Sequence, residues 1–302
     1  MAAIVNVNGK ITSENNAVVS VFDHGFLYGE GVYETLRTYH RRPFLLDRHL
    51  ARLRNSAGMI ALGVPLSDEQ FADRIEETVG AASAGAPRDT EWYIRVLLTR
   101  GVGELTYDVR ATPVPSLVII VKPLDDPPAR AVSDGIPIAL VPILRNHPGS
   151  VNPIIKSNNL LNNALAMQEA NRRGAEEGLM CNYRGELSEC SQANFFLVRG
   201  GAALTPNTDA GLLEGLTRNF LFEVGEDLGV PVRYETLFPN DLETADEAFI
   251  TSTTRELTPV TRIDDRVVGS GKPGPVTLKL LEGYRKRALS LTRALVGPRP
   301  PR

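Results

Sequence analysis

The sequence predicts a mixed α/β (α+β) protein that consists of two domains. Its 302 residues are 42% hydrophobic and 23% charged, which provides enough apolar material for a substantial core. Strand-like alternation and helix-like periodicity follow one another along the chain, and a charged, proline-rich stretch at 123–128 has the composition of an interdomain linker. We therefore predict a small N-terminal domain over 1–122, a larger domain over 129–296 and a disordered tail over 297–302.

The first domain is predicted to contain a small sheet and two helices. An Asn8-Gly9 pair inside the alternating stretch 5–11 is a strong hairpin signal. Asp47 predicts the N-cap of a helix that runs to about residue 60, and Ser67 with Gln70 forms a capping box for a second helix that ends near residue 82. Further strands are predicted at 18–22, 32–39, 92–99 and 116–122, and the last is apolar enough to be buried on both faces.

The second domain continues in the same mixed style. The residue patterns predict strands at 136–143, 178–182, 194–198 and 247–251. They predict helices at 158–173, closed by Gly174, and at 217–228 and 276–295.

Several classes of function are excluded by composition. The net charge of -3, with Lys and Arg spread along the chain, argues against nucleic acid as a partner. Neither a signal peptide nor a run of about 20 apolar residues is present, so we expect a cytoplasmic protein without a membrane partner. The four histidines have no ligand-like spacing, so no metal site is expected. Cys181 and Cys190 are expected to be unpaired thiols in a reducing compartment.

Lys156 is the first candidate for chemistry. It lies in the sequence NPIIKSNN, after an apolar run and before a predicted helix. Partial desolvation at such a junction lowers the pKa of a lysine and makes its amine a nucleophile or a base near neutral pH. A single lysine in this position is nevertheless typical of a solvated surface, so its significance depends on the rest of the sequence.

Six ordered motifs supply that context, at 26–37 (FLYGEGVYETLR), 49–53 (HLARL), Lys156, 186–196 (ELSECSQANFF), 213–218 (LEGLTR) and 251–259 (TSTTRELTP). Together they resemble the class IV aminotransferases, the fold-type-IV enzymes that use pyridoxal 5'-phosphate, over nearly the whole chain. The resemblance implies a fold like that of D-amino-acid aminotransferase, with two α/β domains, the cofactor in the cleft between them, and a homodimer that completes each site.

The same resemblance assigns cofactor-binding roles to individual residues. Lys156 would hold the cofactor as a Schiff base and, once released, would act as the general base of the 1,3-proton shift. Glu189 would face the pyridine nitrogen and keep it protonated, so that the ring accepts electrons. Phosphate contacts are expected from a helix N-terminus, hydroxyl groups and one planar guanidinium. The further cofactor contacts implied are Arg52, Ser191, Asn194, Leu216, Thr217, Ser252 and Thr253.

The substrate class is less sharply indicated. The candidate substrate contacts are Tyr28, Tyr33, Tyr93, Arg95 and Thr254. Of these, Tyr28, the strand from Tyr93 to Arg95, and Thr254 resemble positions of branched-chain aminotransferases. Leu161, five residues after Lys156, instead resembles D-amino-acid aminotransferases and aminodeoxychorismate lyases, and the stretch 29–34 resembles the D-amino-acid group. The stretch 101–106, however, lacks the Arg-x-His pair that is typical of the D-amino-acid group.

The leading hypothesis is therefore a transaminase that moves an amino group from a small, branched-chain amino acid to a 2-oxo acid such as 2-oxoglutarate. The alternatives are an aminotransferase for D-amino acids or (R)-amines, an aminodeoxychorismate lyase, and a protein that binds pyridoxal phosphate without catalysis.

Overall fold

A computed structural model describes residues 2–294 of the chain, so the tail predicted at 297–302 lies outside the described residues. The chain divides into two compact units. Unit 1 contains residues 2–125, Ile155–Asn159 and 289–294, and unit 2 contains Asp126–Ile154 and Leu160–Ala288. Unit 1 thus includes the short segment around Lys156, although this segment lies about 30 residues after the first part of the unit in the sequence.

Unit 1 is a six-stranded antiparallel sheet with two long helices. Its strands are β1 Ile4–Val7, β2 Lys10–Ser13, β3 Gly31–Tyr39, β4 Arg42–Pro43, β5 Trp92–Thr99 and β6 Ser116–Pro123. Its helices are α1 His24–Leu27, α2 Leu46–Met59 and α3 Asp68–Ser83. The strands are arranged in the order β2-β1-β6-β5-β3-β4.

The core of unit 1 forms where α2 and α3 cover one face of this sheet. Alternate residues of β3 and β5, including Val32, Leu36 and Ile94, pack against Leu53 of α2 and Phe71 of α3. Because side chains alternate between the two faces of a strand, the intervening residues of β3 and β5 project from the opposite face. Fully buried and partly buried positions of β5 alternate without exception.

Unit 2 contains a nine-stranded mixed sheet. Its strands are β7 Ile136–Leu140, β8 Gly178–Cys181, β9 Leu187–Cys190, β10 Asn194–Arg199, β11 Ala202–Thr205, β12 Val232–Tyr234, β13 Glu247–Ser252, β14 Glu256–Ile263 and β15 Arg266–Val267. Its helices are α4 Ala129–Ser133, α5 Leu161–Arg172, α6 Leu216–Leu228 and most of α7 Pro275–Ala294.

The strand pairings of unit 2 close into a ring. The order is β12-β11-β10-β13-β14-β7-β8-β9, with β15 beside β14, and β9 pairs again with β10. An apolar core that includes Phe195, Leu197 and Ile250 packs inside this arrangement. On the other face of β10 and β13, the rings of Phe196 and Phe249 stack with centroids 4.7 Å apart. One face of β10 therefore packs in the apolar core inside the ring of strands, and the other face carries the stacked rings of Phe196 and Phe249.

Most of the predicted elements are confirmed. The hairpin turns at Asn8 and Gly9, whose φ values of 50° and 94° are those of a two-residue hairpin turn. The capping box at Ser67 is present with both of its hydrogen bonds. Strand β5 occupies the predicted residues, and Gly174 follows the end of α5 with a φ of 70°.

Three local predictions are wrong. Residues 18–22 do not form a strand, because no neighbouring strand pairs with them in the described part of the chain, and Val18 and Phe22 are exposed. Asp47 is not an N-cap but lies within the first turn of α2, whose N-cap is Leu45. Strand β6 is not buried on both faces; only alternate residues are fully buried, because helices cover one face of its sheet.

Within residues 2–294, no helix is both long and apolar enough to cross a membrane. The same residues contain no group of three or more His, Cys, Asp or Glu side chains arranged to hold a metal ion. Cys181 and Cys190 are free thiols, as predicted.

Candidate active site

Lys156 is held in unit 1 by its main chain. The Tyr33 N–H donates to the Lys156 carbonyl over 2.9 Å, and the Asn158 N–H donates to the Gly31 carbonyl over 2.9 Å. On the other side, the Lys156 N–H donates to Ser56 Oγ over 3.1 Å. The segment is therefore fixed between β3 and α2, although its residues are far from both in sequence.

The Lys156 ammonium lies over an aromatic ring. Its Nζ is 4.6 Å from the centroid of the Tyr33 ring, and the Arg95 guanidinium carbon is 4.1 Å from the same centroid. Cations at these distances are attracted to the electron-rich faces of aromatic rings. Among residues 2–294, no carboxylate forms an ion pair with Lys156 or Arg95. Two cations without a carboxylate partner thus meet at one ring, which favours binding of an anion there.

The other predicted substrate residues of unit 1 divide into two places. Tyr93 lies two residues before Arg95 on β5, so its side chain projects from the same face of the sheet. Tyr28 lies in the loop after α1, where its ring contacts those of His24 at 4.9 Å and Tyr107 at 5.0 Å. The structure therefore joins Tyr33 and Arg95 with Lys156, whereas the described contacts of Tyr28 do not involve that group.

Arg52 belongs to a buried charged cluster in unit 1 that the motifs alone do not reveal. Its Nε and Nη2 donate to the two carboxylate oxygens of Glu34 over 2.7 and 2.8 Å. His49 Nδ1 lies 2.6 Å from Glu34 Oε2. Because Glu34 is fully buried, this bidentate pair fixes the plane of the Arg52 guanidinium.

The buried cluster shifts the protonation of two of its members. Burial by itself raises the pKa of the Glu34 carboxyl, but the charge of Arg52 and the hydrogen bonds from Arg52 and His49 outweigh burial and hold that pKa well below its ordinary value. Burial lowers the pKa of the His49 imidazole, and the charges of Arg52 and Lys156 lower it further against the opposing effect of Glu34. The cluster is therefore an anionic Glu34 beside a neutral His49 and a cationic Arg52.

Glu189 is the central carboxylate of unit 2. Its Oε1 accepts a hydrogen bond from Arg145 Nε over 2.8 Å. Its Oε2 accepts from the Leu213 N–H over 3.1 Å and from Asn194 Nδ2 over 3.3 Å. Arg145 also donates to Asn162 at the start of α5 over 2.9 Å. Since both partners of the ion pair are more than nine-tenths buried, this carboxylate has a fixed position and a counter-charge.

The predicted phosphate turn of unit 2 has the form of an anion site. Gly215 is the N-cap of α6, and within the described residues no side chain caps this helix end, so the N–H groups of Leu216 and Thr217 are available to an anion. A Cβ atom at Gly215 would lie 1.8 Å from Asn194 Oδ1, so only glycine fits this close approach. Asn194 thereby links the helix N-terminus to Glu189.

Two of the hydroxyl groups predicted to contact the cofactor, those of Ser191 and Ser252, form hydrogen bonds within the protein. Ser191 Oγ donates to the buried Glu177 carboxylate over 2.5 Å and accepts from the Gly178 N–H over 3.1 Å. Ser252 Oγ accepts from the N–H and Nε of Arg255 over 3.3 and 3.4 Å. Arg255 in turn donates to Glu177 over 2.5 Å. Glu177 therefore connects the turn after β9 with the turn between β13 and β14.

The turn between β13 and β14 has a constrained backbone. Ser252 pairs with Glu256 across the turn, which leaves Thr253 and Thr254 half-buried at its tip. Glu256 has a φ of 56°, a left-handed conformation that is uncommon for a residue with a side chain. Its carboxylate accepts from Arg285 Nε over 2.6 Å. Strained backbone of this kind is often associated with binding sites.

The residues of each unit fit pyridoxal phosphate when each unit is considered by itself. Unit 2 provides a buried, ion-paired carboxylate at Glu189, suited to a protonated ring nitrogen, and an uncapped helix N-terminus at Gly215, suited to a phosphate. Unit 1 provides a lysine amine that has no carboxylate partner among the described residues. The donor set therefore matches the functional groups of this cofactor.

The structure also identifies site residues that the sequence did not. Glu34, Arg145, Glu177 and Arg255 are charged residues whose partners are 18, 44, 14 and 78 residues away in sequence. Helical spacing connects none of these pairs, so only the fold brings them together. The one available signal was that Glu34 lies between the apolar residues Val32 and Leu36 in the alternating pattern of the strand, where an unpaired buried acid would be costly.

Comparison with known proteins identifies the family. The sequence model of the family described as "Amino-transferase class IV" matches residues 31–263. A relative from Methanocaldococcus jannaschii, described as "Putative branched-chain-amino-acid aminotransferase", is 38% identical over 281 residues, which cover 93% of this chain and 95% of the relative.

Other relatives carry different descriptions. The D-alanine aminotransferase of Staphylococcus haemolyticus is 32% identical, with 93% of this chain and 96% of the relative covered. The aminodeoxychorismate lyase of Bacillus subtilis is 31% identical, with 94% of each chain covered. Among solved structures, the branched-chain aminotransferase of the thermophilic archaeon Thermoproteus uzoniensis with norvaline has a TM-score of 0.86, at 32% identity and with 96% of each chain covered.

Proposed function

Because this chain belongs to the class IV aminotransferases, which use pyridoxal phosphate, we propose that it moves an amino group from a small, branched-chain L-amino acid to a 2-oxo acid such as 2-oxoglutarate. The observation that carries this proposal is the meeting of Lys156 and Arg95 at the Tyr33 ring. The amine of Lys156 is suited to the chemistry, and the guanidinium of Arg95 is suited to a substrate carboxylate.

Bound pyridoxal phosphate supplies an electron sink for the carbon that loses its proton. In our proposal, Glu189 keeps the ring nitrogen protonated, and its ion pair with Arg145 holds the carboxylate in place for that purpose. Leu216 and Thr217 donate their main-chain N–H groups to the phosphate, with Ser252 and Thr253 as further donors. Arg52 adds a guanidinium whose plane is set by Glu34. Ser191 contributes mainly by holding its turn to Glu177, because its hydroxyl proton is already donated there.

Lys156 has two proposed duties. It tethers the cofactor, and after the substrate has taken its place its amine removes the proton from the substrate α-carbon and delivers it to the neighbouring carbon on the cofactor side. The fixed main chain of Lys156 supports this role, since the hydrogen bonds to Tyr33 and Ser56 limit the positions that the amine can reach.

Substrate recognition in this proposal depends on the open face of the unit 1 sheet. Arg95 binds the α-carboxylate, while the rings of Tyr33 and Tyr93 provide apolar surface for a branched side chain. The main-chain N–H groups of the 253–254 turn are proposed as further donors to the carboxylate. Tyr28 is proposed as a substrate contact by resemblance alone.

The test of the catalytic assignment is a lysine replacement with a matched control. Lys156→Ala is expected to lose turnover by at least about a thousandfold, the combined effect of losing a covalent tether and a base. Its visible absorbance from lysine-bound cofactor should disappear as well. Lys286→Ala removes an exposed lysine and should retain both. Full turnover in Lys156→Ala would refute the assignment.

The substrate assignment is tested with purified enzyme, L-leucine and 2-oxoglutarate. Glutamate formation is expected, and Arg95→Gln should raise the KM for leucine by about tenfold or more, because a hydrogen bond to a charged group is lost. Formation of no glutamate from L-leucine, L-valine or L-isoleucine would contradict the branched-chain proposal.

A second candidate function is transamination of D-amino acids or (R)-amines. It is favoured by Leu161, which is 67% exposed at the start of α5, and by the D-alanine aminotransferase relative. D-Alanine and the two enantiomers of 1-phenylethylamine, each with 2-oxoglutarate or pyruvate, distinguish the candidates. Turnover confined to the L-amino acids removes the second candidate.

Two further alternatives remain from the sequence. An aminodeoxychorismate lyase, like the Bacillus subtilis relative, would release pyruvate from aminodeoxychorismate without an amino acceptor. A non-catalytic binder would show a cofactor absorbance band that no amine changes, although a binder has no need of the ion-paired Glu189.

The proposed enzyme is a homodimer. Support comes from unit 1, where the segments 18–28 and 102–109 are joined by the Phe22 carbonyl, which accepts from the Gly103 N–H over 3.2 Å. These segments expose Val18, Phe26 and Tyr107 by 75%, 69% and 81%. Large exposed apolar side chains on adjoining segments are typical of protein interaction surfaces. Sedimentation should give twice the chain mass, and Phe26→Glu should shift it toward the monomer.

A further inference from the structure

Thr251 is a buried threonine whose hydroxyl has no partner within the described residues. The residue is 1% exposed, and within residues 2–294 nothing hydrogen-bonds its Oγ1. A buried polar atom without a partner is costly, and native proteins contain few of them. A hydroxyl is easily accommodated by a local carbonyl, as Thr78 Oγ1 is by the Arg74 carbonyl over 2.7 Å. The unpartnered Thr251 hydroxyl therefore requires an explanation.

The strand register places this hydroxyl beside the proposed cofactor residues of unit 2. Glu189 of β9 pairs with Asn194 of β10, and Asn194 pairs with Thr251 of β13. Residues directly opposite each other on neighbouring strands project from the same face of a sheet. Glu189, Asn194 and Thr251 thus form one row of polar side chains across three strands.

The face on which this row lies is the face where α6 begins. Asn194 Oδ1 occupies the space against Gly215, since a Cβ atom there would meet it at 1.8 Å. Two residues along the same strands, Phe196 and Phe249 stack on this face with centroids 4.7 Å apart. The opposite face of β10 and β13 is apolar core, which includes Phe195 and Ile250. The Thr251 hydroxyl is therefore on the side of the uncapped helix N-terminus.

We propose that the Thr251 hydroxyl donates a hydrogen bond to the phosphate group of pyridoxal phosphate. This inference rests on the proposed assignment of Glu189 to the ring nitrogen. Glu189 and Thr251 occupy opposite ends of the polar row, two strand spacings or about 10 Å apart. The cofactor carries its ring nitrogen and its phosphate at separate positions, so with Glu189 at the ring nitrogen, Thr251 at the far end of the row is placed toward the phosphate, on the same face of the sheet as Gly215. A hydroxyl donates well to an anionic oxygen.

The decisive variant is Thr251→Val, which keeps the shape of the side chain and removes only the hydroxyl. Without cofactor, this variant should be as stable as the natural protein or more stable, because an unsatisfied polar group has been replaced by a methyl group. Its affinity for pyridoxal phosphate should nevertheless fall by about tenfold or more, the loss expected for one hydrogen bond to a charged group. A purely structural role would not move stability and affinity in opposite directions.

A cofactor analogue and two matched variants complete the experiment. Binding is measured by titrating cofactor-free protein and following absorbance or protein fluorescence. Thr251→Val should bind pyridoxal, which lacks the phosphate, as well as the natural protein does. Thr251→Ser retains the hydroxyl and should retain affinity for pyridoxal phosphate. Thr78→Val, a change at a buried threonine of α3 whose hydroxyl has a partner, should leave both affinities unchanged.

Each outcome decides the inference. Unchanged affinity of Thr251→Val for pyridoxal phosphate, equal losses for pyridoxal phosphate and pyridoxal, or reduced stability of the cofactor-free variant would each overturn it. If Glu189→Gln proves to bind pyridoxal phosphate and to turn over like the natural protein, the proposed assignment of Glu189 fails instead. Loss of affinity in Thr251→Val alone leaves that assignment intact.

Discussion

Replacing Arg145 by methionine would remove the cation that pairs with Glu189. The side chains of Arg145 and Glu189 are 7% and 6% exposed, so the remaining carboxylate could not gain full hydration. Two donors would stay in place, the Leu213 N–H at 3.1 Å and Asn194 Nδ2 at 3.3 Å, and both distances are long for a charged acceptor.

The expected loss follows from this geometry. Breaking one side of a buried ion pair costs about 3–5 kcal/mol, because it leaves a buried charge uncompensated. Since two neutral donors still contact Glu189, we expect the lower end, about 3 kcal/mol, in the free energy of unfolding of the cofactor-free protein. Replacing both partners, as in Arg145→Met with Glu189→Gln, should recover at least about half of that loss.

Urea unfolding at neutral pH measures these changes, provided that the slope of the free energy against urea is the same for every variant. Arg172→Met is the matched control, because Arg172 is 70% exposed in its pair with Glu169 and should contribute less than about 1 kcal/mol. High salt should reduce the small control effect and leave the Arg145 effect unchanged. A loss below about 1 kcal/mol for Arg145→Met, or a double variant less stable than the single one, would refute the reasoning.

Three further outcomes are expected. The free energy of unfolding should fall as the pH drops below 6.5 and again as it drops below 4.5, the ordinary pKa values of His49 and Glu34. Folding lowers both pKa values, so the unfolded chain takes up each proton first and is stabilised relative to the folded protein. The urea midpoint measured against pH tests this, and His49→Asn should remove the step below pH 6.5. Gly215→Ala should weaken pyridoxal phosphate binding by about tenfold or more. The control is Gly80→Ala inside α3, where the added Cβ atom has no neighbour within 4 Å, and this change should raise the free energy of unfolding by up to about 1 kcal/mol. Glu177→Gln should raise the KM for the amino substrate by a larger factor than it lowers the urea midpoint of unfolding, because Glu177 connects the turn at Ser191 with the turn at Arg255. An unchanged KM would count against this role of Glu177.

Much of the fold could be predicted because its signals are local. The Asn8-Gly9 turn, the capping box at Ser67 and the alternation of β5 each depend on residues within a few positions of one another. The predictions that were wrong concern neighbours in space. Residues 18–22 have strand-forming side chains but no pairing strand among the described residues, and β6 has an apolar sequence although helices cover one face of its sheet.

For the site, the sequence by itself determined the kinds of chemical group, namely the lysine amine, the carboxylate, the glycine turn and the hydroxyl-rich turn, since each is a residue type in an ordered motif. Tertiary structure decided their partners. Arg52 meets Glu34, Glu189 meets Arg145, and Thr251 comes into register with Asn194 across separations of 18, 44 and 57 residues. Pairings at such distances are fixed by strand order and helix packing rather than by local preference, so no reading of neighbouring residues could have supplied them.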